Sequence, residues 1–169
     1  MVKKIILTVI TLCMISCFYT RTDYGNIRFK PYRFTIKPNS NSDVYEVIDT
    51  TKLYELVDAV NSKYNQRPNS LRKQFLKFYA NGRVGEFEGY YPGDINSLAP
   101  QKAKMAYYNY DGKNLIIQIY FEHPQGGGLI KKNFKEIKGD TLELVNDDYS
   151  YKYKIIDLPK EFLIYKPDW

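Results

Sequence analysis

The sequence is poor in the residue types that build metal centres, disulfide frameworks and histidine-dependent active sites. Its 169 residues include one His, two Cys and one Trp. A single histidine excludes a metal site built from several histidines, and two cysteines are too few for a disulfide scaffold. Tyrosine, in contrast, is abundant, with 17 copies. The chain is therefore too apolar and aromatic to be disordered, and its length suits one domain with a buried core.

Long apolar runs are also scarce, and the one at the N-terminus, Ile5–Ile15, is short for a membrane-spanning helix. Lys3 and Lys4 precede it, and Ser16 stands directly before Cys17. Basic residues, a short apolar run and then a small residue are typical of an export signal. Three interpretations fit this pattern: a lipoprotein signal, a cleaved secretory signal without lipid, and an uncleaved anchor helix.

The segment Met14-Ile15-Ser16-Cys17 resembles the lipobox of bacterial lipoproteins, in which the Cys receives diacylglycerol before the signal is cleaved. The resemblance implies a signal peptide over residues 1–16, lipid attachment at Cys17 and a membrane partner held through that lipid. In the best-known sorting rule for such lipoproteins, an Asp after the Cys retains the protein in the inner membrane. Cys17 is followed by Phe18, Tyr19 and Thr20, so the resemblance implies the outer membrane, with the protein facing the periplasm and surface exposure left open.

Residues 17–43 are predicted to form a tether between the lipid and the folded domain. Pro38–Asp43 is rich in Pro, Asn and Ser, which is typical of a loop. Ile27, Phe29, Phe34 and Ile36 are compatible either with an edge strand interrupted at Pro31 or with an irregular tether.

The turn Asn81-Gly82 predicts a β-hairpin between residues 74–80 and 83–88. Asn-Gly between apolar runs is the strongest short hairpin signal, because a type I′ turn needs positive φ at both positions. A two-residue turn fixes the cross-strand pairs by counting outward. The predicted core pairs are Phe78 with Gly85 and Leu76 with Phe87, and the predicted outer pairs are Tyr79 with Val84 and Lys77 with Glu86.

Asp111-Gly112 predicts a second hairpin between residues 104–110 and 113–121, with Tyr108 opposite Leu115 and Ala106 opposite Ile117. Further strands are predicted over residues 129–137, 141–145 and 149–156, separated by Gly- and Asp-containing turns. Turn signals that recur every eight to twelve residues are typical of an all-β barrel or sandwich.

The stretch before the first hairpin is harder to interpret. Val44–Ile48 is predicted to be a strand. Leu53, Leu56, Val57 and Val60 have helical spacing, so Thr51–Lys63 is left open between helix and strand.

The region 44–169 resembles small lipocalin-like lipoproteins of bacterial envelopes. The residues that carry the resemblance are Phe78-Tyr79-Ala80-Asn81-Gly82, Gly139-Asp140-Thr141-Leu142 and the Tyr-rich segment Tyr149–Tyr153. The resemblance implies an all-β fold: an antiparallel up-and-down meander that closes into a barrel of about eight to ten strands, with room for one short helix.

Candidate catalytic groups are few, and each has a plainer interpretation. His123 is expected to be a solvent-facing loop residue. Asp140, Asp147 and Asp148 fall in predicted turns, where Asp bonds locally, while Glu143 lies in a predicted strand. Lysines recur on the strands near the C-terminal end, where they are expected on a solvated outer face; they are Lys131, Lys132, Lys135, Lys138, Lys152 and Lys154. No enzymatic activity, cofactor or metal is therefore expected.

Tyrosine is the residue with the strongest claim to function, since it combines a large apolar face with a polar tip. One hypothesis is a binding module, in which a barrel mouth holds a small apolar or amphipathic ligand. The residues predicted to line that mouth are Phe78, Tyr107, Tyr108, Tyr110 and Tyr120. The other hypothesis is a non-catalytic structural lipoprotein that binds an envelope protein. Nucleic acid is not an expected partner of an exported protein, despite the net charge of +6.

Overall fold

The computed structural model describes residues 19–122 and 127–169, and these form an all-β fold. Eight of the strands close into one barrel, and two short strands precede it as a separate hairpin. The strands are β1 (Tyr19–Arg21), β2 (Ile27–Phe29), β3 (Lys52–Asn61), β4 (Phe75–Tyr79), β5 (Arg83–Phe87), β6 (Lys104–Tyr110), β7 (Leu115–Phe121), β8 (Gly128–Lys138), β9 (Thr141–Val145) and β10 (Tyr149–Asp157).

Each barrel strand pairs antiparallel with the next strand along the chain, and β10 returns to pair with β3. This is the predicted up-and-down barrel, so the predicted fold class is confirmed. The helical segments of the described residues are short 3-10 turns at Pro31–Arg33, Ser42–Glu46, Ile95–Leu98, Pro100–Lys102 and Lys160–Ile164.

The stretch with helical spacing is strand β3. Leu56 packs inside the barrel, whereas Leu53 packs in a second cluster that includes Leu98 and Phe162. Asp58 pairs with Lys152 and Leu56 pairs with Tyr153, so Val57 is the extra residue of a β-bulge and is 47% exposed. The apolar residues Leu53, Leu56 and Val57 have helical spacing because they lie in two different clusters and at a bulge, not because they share one face of a helix.

The strand predicted at Val44–Ile48 is wrong, because a 3-10 turn covers Ser42–Glu46. The side chain of Asn41 accepts a hydrogen bond from the backbone of Asp43 and so caps this turn. Val44 and Ile48, four residues apart, both point into the barrel cluster and are 0% and 2% exposed. The four-residue spacing of Val44 and Ile48 is therefore that of one helical turn, and not the alternation of a strand.

The first predicted hairpin exists, but its predicted pairing is wrong by one residue. Tyr79 pairs with Arg83 and Phe78 with Val84, so the loop has three residues rather than two. Asn81 and Gly82 both have positive φ, 62° and 75°. A one-residue shift exchanges the two faces of a strand, so Val84 and Glu86 face Phe78 and Leu76.

In the second hairpin the predicted pairing is wrong by two residues, since Tyr108 pairs with Ile117 and Tyr110 with Leu115. The side chain of Asp111 accepts from the backbone N–H groups of Lys113 and Asn114, and this holds a longer loop. A shift of two keeps every side chain on its predicted face.

The segment predicted as a tether lies against the outside of the barrel. Phe34 packs edge-on against Tyr107, with ring centroids 4.6 Å apart. The amide of Gln118 bonds the backbone and hydroxyl of Thr35. The backbone of Asn39 donates to the carbonyl of Tyr108 at 2.8 Å. Strands β6 and β7 are therefore buried on both faces.

The C-terminal segment covers the neighbouring outer surface and binds the N-terminal segment. Arg28 forms an ion pair with Asp168 at 2.8 Å, and its guanidinium lies over the ring of Trp169. Trp169 also stacks edge-on against Tyr79 and donates to the carbonyl of Ala106. Together the two terminal segments form an outer layer over β4 to β7.

Candidate functional site

The structure separates the side chains that were predicted to line a ligand-binding mouth. Phe78 and Tyr108 are fully buried inside the barrel, with ring centroids 5.5 Å apart. The hydroxyl of Tyr108 donates to the carbonyl of Tyr79. Tyr110 packs against the same interior cluster, and its hydroxyl donates to Gly112. These three side chains are part of the packed interior.

Tyr107 and Tyr120, the other two predicted residues, belong to the outer face. Tyr107 is buried beneath Phe34, and Tyr120 packs edge-on against Phe29 with ring centroids 4.5 Å apart. The N-terminal segment, which sequence patterns do not place here, covers them both. Cys17, the expected site of lipid attachment, and His123, which is expected in a solvent-facing loop, lie outside the described residues.

Lys132 was expected on a solvated face, and this is wrong: its side chain points into the barrel. It pairs with Ile117, an interior residue, on the inward-facing row of β8. Its ammonium donates to the Tyr153 hydroxyl at 2.8 Å and lies 3.8 Å from the carboxylate of Glu86. The ring of Tyr151 lies below it, with its centroid at 4.3 Å.

Burial alone would lower the pKa of Lys132, but Tyr153 and Glu86 outweigh burial and raise the pKa above its usual value. Lys132 is therefore a cation inside the barrel. The carboxylate of Glu86 also lies 3.8 Å from Lys104, whose ammonium bonds Glu88 at 2.7 Å. A row of alternating charges thus connects the interior to the exposed Glu88. Its members neutralise one another, which is the arrangement of a structural ion pair rather than of a receptive site.

A cleft of about 530 Å³ lies between the β4–β5 hairpin and the C-terminal segment, outside the barrel. Its lining includes three cationic side chains, Lys77, Arg83 and Lys166, and no carboxylate. Tyr79 and Leu163 add apolar surface. The volume is within the range of small-molecule sites. The cleft therefore combines an excess of positive charge with an apolar wall.

Lys77 is the unusual residue of this cleft. It is 4% exposed, and its ammonium donates to the backbone oxygens of Thr50 and Phe78 rather than to a carboxylate. Burial lowers its pKa to about 8, against a partial opposing effect of Asp49. The Asp49 carboxylate accepts hydrogen bonds from the backbone and hydroxyl of Thr51. Lys77 thus keeps an incompletely balanced charge at the cleft wall.

A second cleft, of about 550 Å³, carries charges of both signs. Its lining includes cationic Lys131, acidic Asp147 and Asp148, and polar Asn133 and Asn146. Because opposite charges are present, this cleft has no comparable preference for an anion. The cleft at Lys77 is therefore the stronger candidate site.

Within the described ranges, no group of three or more His, Cys, Asp or Glu residues is arranged to hold a metal ion. In the same part of the chain, none of the helical segments has the length and hydropathy of a membrane span. Comparisons with family models, with curated proteins and with solved structures found no match. The function is therefore inferred from the geometry of this chain.

Proposed function

We propose that the protein is a lipid-anchored, non-catalytic protein of the bacterial envelope that binds a small amphipathic anion in the cleft at Lys77. The observation that carries the proposal is the cationic lining of that cleft, which contains no carboxylate. The proposal keeps the amphipathic ligand expected from the sequence but places it outside the barrel. The interior is the scaffold, since its apolar side chains form one packed cluster around a neutralised ion pair.

The chemistry of the cleft suits a ligand with an acidic group and a short apolar chain. Lys77, Arg83 and Lys166 supply positive charge to the cleft, although the Nε of Arg83 already donates to the main-chain oxygen of Trp169. A carboxylate or phosphate accepts hydrogen bonds from such cations strongly, because both partners are charged. Tyr79 is 7% exposed, and burial raises its pKa, so its hydroxyl stays neutral and presents no competing negative charge. Leu163 and Pro167 provide contact for the apolar chain.

Lys77→Met is expected to weaken the binding of an amphipathic anion at least about tenfold, which corresponds to the loss of one charge-assisted hydrogen bond. Methionine has a similar length and keeps the apolar contacts of the lysine stem. The measurement is calorimetric titration with decanoate and with decyl phosphate. The matched control ligand is decanol, whose affinity should not change. The matched control protein is Lys131→Met, from the cleft of mixed charge.

The binding should also depend on pH in one direction. The folded pKa of Lys77 is about 8, so affinity for decanoate should be full near neutral pH and fall as pH rises through that value. Asp49 is ionised throughout this range because its pKa is lowered, chiefly by Thr51 acting against burial. Equal affinity of the wild type and Lys77→Met, or no binding of either anion at about 1 mM, contradicts the ligand proposal.

The anchor proposal has its own test. Cells supplied with an alkyne-labelled fatty acid should label the wild-type chain, and Cys17→Ala should abolish that label. Cys13→Ala, the matched control, should leave the label unchanged. Full labelling of Cys17→Ala contradicts lipid attachment at this residue. Fractionation of the labelled chain tests the proposed location in the outer membrane.

A non-catalytic structural or protein-interaction role is the second candidate. Several tyrosines are exposed to solvent, which favours contact with an envelope protein because tyrosine is enriched at interfaces. They are Tyr19, Tyr24, Tyr32, Tyr45, Tyr64 and Tyr91. This role becomes the better one if neither amphipathic anion binds.

A further inference from the structure

We infer that residues 19–37, the N-terminal surface, lie against the headgroups of an anionic bilayer and hold the barrel in one orientation on it. This inference rests on the proposed lipid at Cys17. It goes beyond anchoring, because an anchor by itself leaves a protein free to rotate above the membrane. Three features of the N-terminal surface support it: its rigid attachment, its composition and its distance from the anchor.

The N-terminal surface is fixed by hydrogen bonds to the segment that leads into β6, and those of Arg28 are buried. Arg28 is 9% exposed, and its guanidinium donates to the carbonyls of Pro100 and Ala103 at 2.7 and 3.0 Å. Thr22 and Asn26 both donate to the carbonyl of Gln101. If this arginine left its site, the carbonyls of Pro100 and Ala103 would lose a charged donor, which is costly for buried acceptors. The surface and the barrel therefore move as one body.

The composition of the N-terminal surface is that of a membrane interface. Between Tyr19 and Lys37 the chain exposes four cationic residues, which are Arg21, Lys30, Arg33 and Lys37, and one acidic residue, Asp23. The fifth cationic residue, Arg28, is buried and paired with Asp168, so it does not contribute to this surface charge. Tyr19, Tyr24 and Tyr32 are 48%, 60% and 69% exposed. Tyrosine is enriched at headgroup depth, and each lysine or arginine near an anionic bilayer adds about 1 kcal/mol of attraction.

Cationic groups also stand over two of these exposed rings. The guanidinium of Arg21 lies 5.8 Å from the centroid of Tyr19, and the ammonium of Lys102 lies 5.4 Å from that of Tyr24. Positive charge and aromatic surface therefore lie side by side. This suits a bilayer surface, where phosphates attract cations and aromatic rings lie at the boundary with the acyl chains. An anionic lipid surface satisfies both parts, whereas solvent satisfies only the charge.

The distance from the anchor decides which surface meets the bilayer. Tyr19 follows Cys17 by two residues, and an extended chain covers at most about 3.6 Å per residue. The backbone of Tyr19 therefore lies within about 7 Å of the acylated residue. Strand β1 belongs to the N-terminal surface, which is fixed to the barrel. No long flexible linker therefore separates the barrel from the membrane.

The inference is tested with the acylated full-length product reconstituted into vesicles of phosphatidylcholine and phosphatidylglycerol that carry brominated acyl chains. Two single-tryptophan proteins are compared, Tyr24→Trp and Tyr91→Trp, each in a Trp169→Phe background. Tyr91 is the matched control, because it is 65% exposed and lies outside the N-terminal surface. We expect bromine to quench the fluorescence of the Tyr24→Trp protein at least about threefold more than that of the Tyr91→Trp protein, since interfacial side chains lie within about 10 Å of the acyl boundary.

Charge reversal separates the lipid surface from the anchor alone. Adding Lys30→Glu and Lys37→Glu to the Tyr24→Trp protein should reduce its quenching in vesicles with phosphatidylglycerol and leave flotation unchanged. Equal quenching at positions 24 and 91, in protein that floats with the vesicles, overturns the fixed orientation while the anchor stands. Protein that neither labels with fatty acid nor floats overturns the anchor and this inference together.

Discussion

Glu86→Ala is expected to lower the free energy of unfolding at pH 7 by about 3–5 kcal/mol, because it leaves the Lys132 ammonium buried without an acidic partner. The ammonium would keep the hydroxyl of Tyr153 and the ring of Tyr151, which solvate a cation but do not neutralise it. Lys132 is 4% exposed, so water cannot take the place of the lost carboxylate. Urea denaturation followed by tyrosine fluorescence measures the change.

Two controls make this result specific. Asp58→Ala breaks the exposed ion pair with Arg67, in which the arginine side chain is 69% exposed, and should cost less than about 1 kcal/mol. Removing both buried charges together, with Glu86→Gln and Lys132→Met, should restore most of the stability lost in Glu86→Ala. A cost of Glu86→Ala no larger than that of Asp58→Ala would show that Lys132 does not depend on the carboxylate.

Gly82→Ala is expected to cost about 2–4 kcal/mol, or to detach the segment around Asn39 from the barrel. Gly82 has a φ of 75°, and an added Cβ would come within 1.9 Å of the backbone nitrogen of Asn39 and 2.8 Å of the Cα of Pro38. These are main-chain atoms that cannot rotate away. The same nitrogen donates to Tyr108, so relief of the clash breaks a buried hydrogen bond.

Gly112→Ala is the matched control for Gly82→Ala. Gly112 has a φ of 94° but no atom within 4 Å of an added Cβ, so its replacement costs only the backbone strain of about 1 kcal/mol. Thermal unfolding compares the two proteins, and the amide chemical shifts of Asn39 and Tyr110 report whether the segment has moved. Equal costs at both glycines would mean that close packing against Asn39 is not important for stability.

The sequence predicts the barrel better than it predicts strand register, and the two hairpins show why. At Asp111-Gly112 the pairing is wrong by two residues, so Tyr108 and Leu115 still face the core as predicted. At Asn81-Gly82 the error is one residue, which brings Glu86 inside and leaves Gly85 out. Turn length decides the register, and Asn-Gly fits both the two-residue turn and the observed three-residue loop.

The candidate site was harder to predict because it depends on the outer layer. Lys77 is outside the barrel yet buried, and Tyr107 is buried on the outer face, since distant segments cover both strands. Alternation along a strand predicts two faces but not which distant segment covers one of them. The sequence does indicate that β6 is covered on its outer side, because its residues are apolar on both faces, as in a strand buried on both sides.

Closure of the barrel by β3 and β10 has a kinetic consequence. Lys52 and Asp157, which form an ion pair across this seam, are 105 positions apart in the chain. Until Asp157 has been synthesised and β10 has docked, β3 has one unpaired edge and the interior cluster lacks Tyr153. Such non-local pairing slows folding, because the chain loses the entropy of loop closure before the stabilising contacts between β3 and β10 can form. The barrel is therefore expected to close late in folding, after β10 has docked against β3.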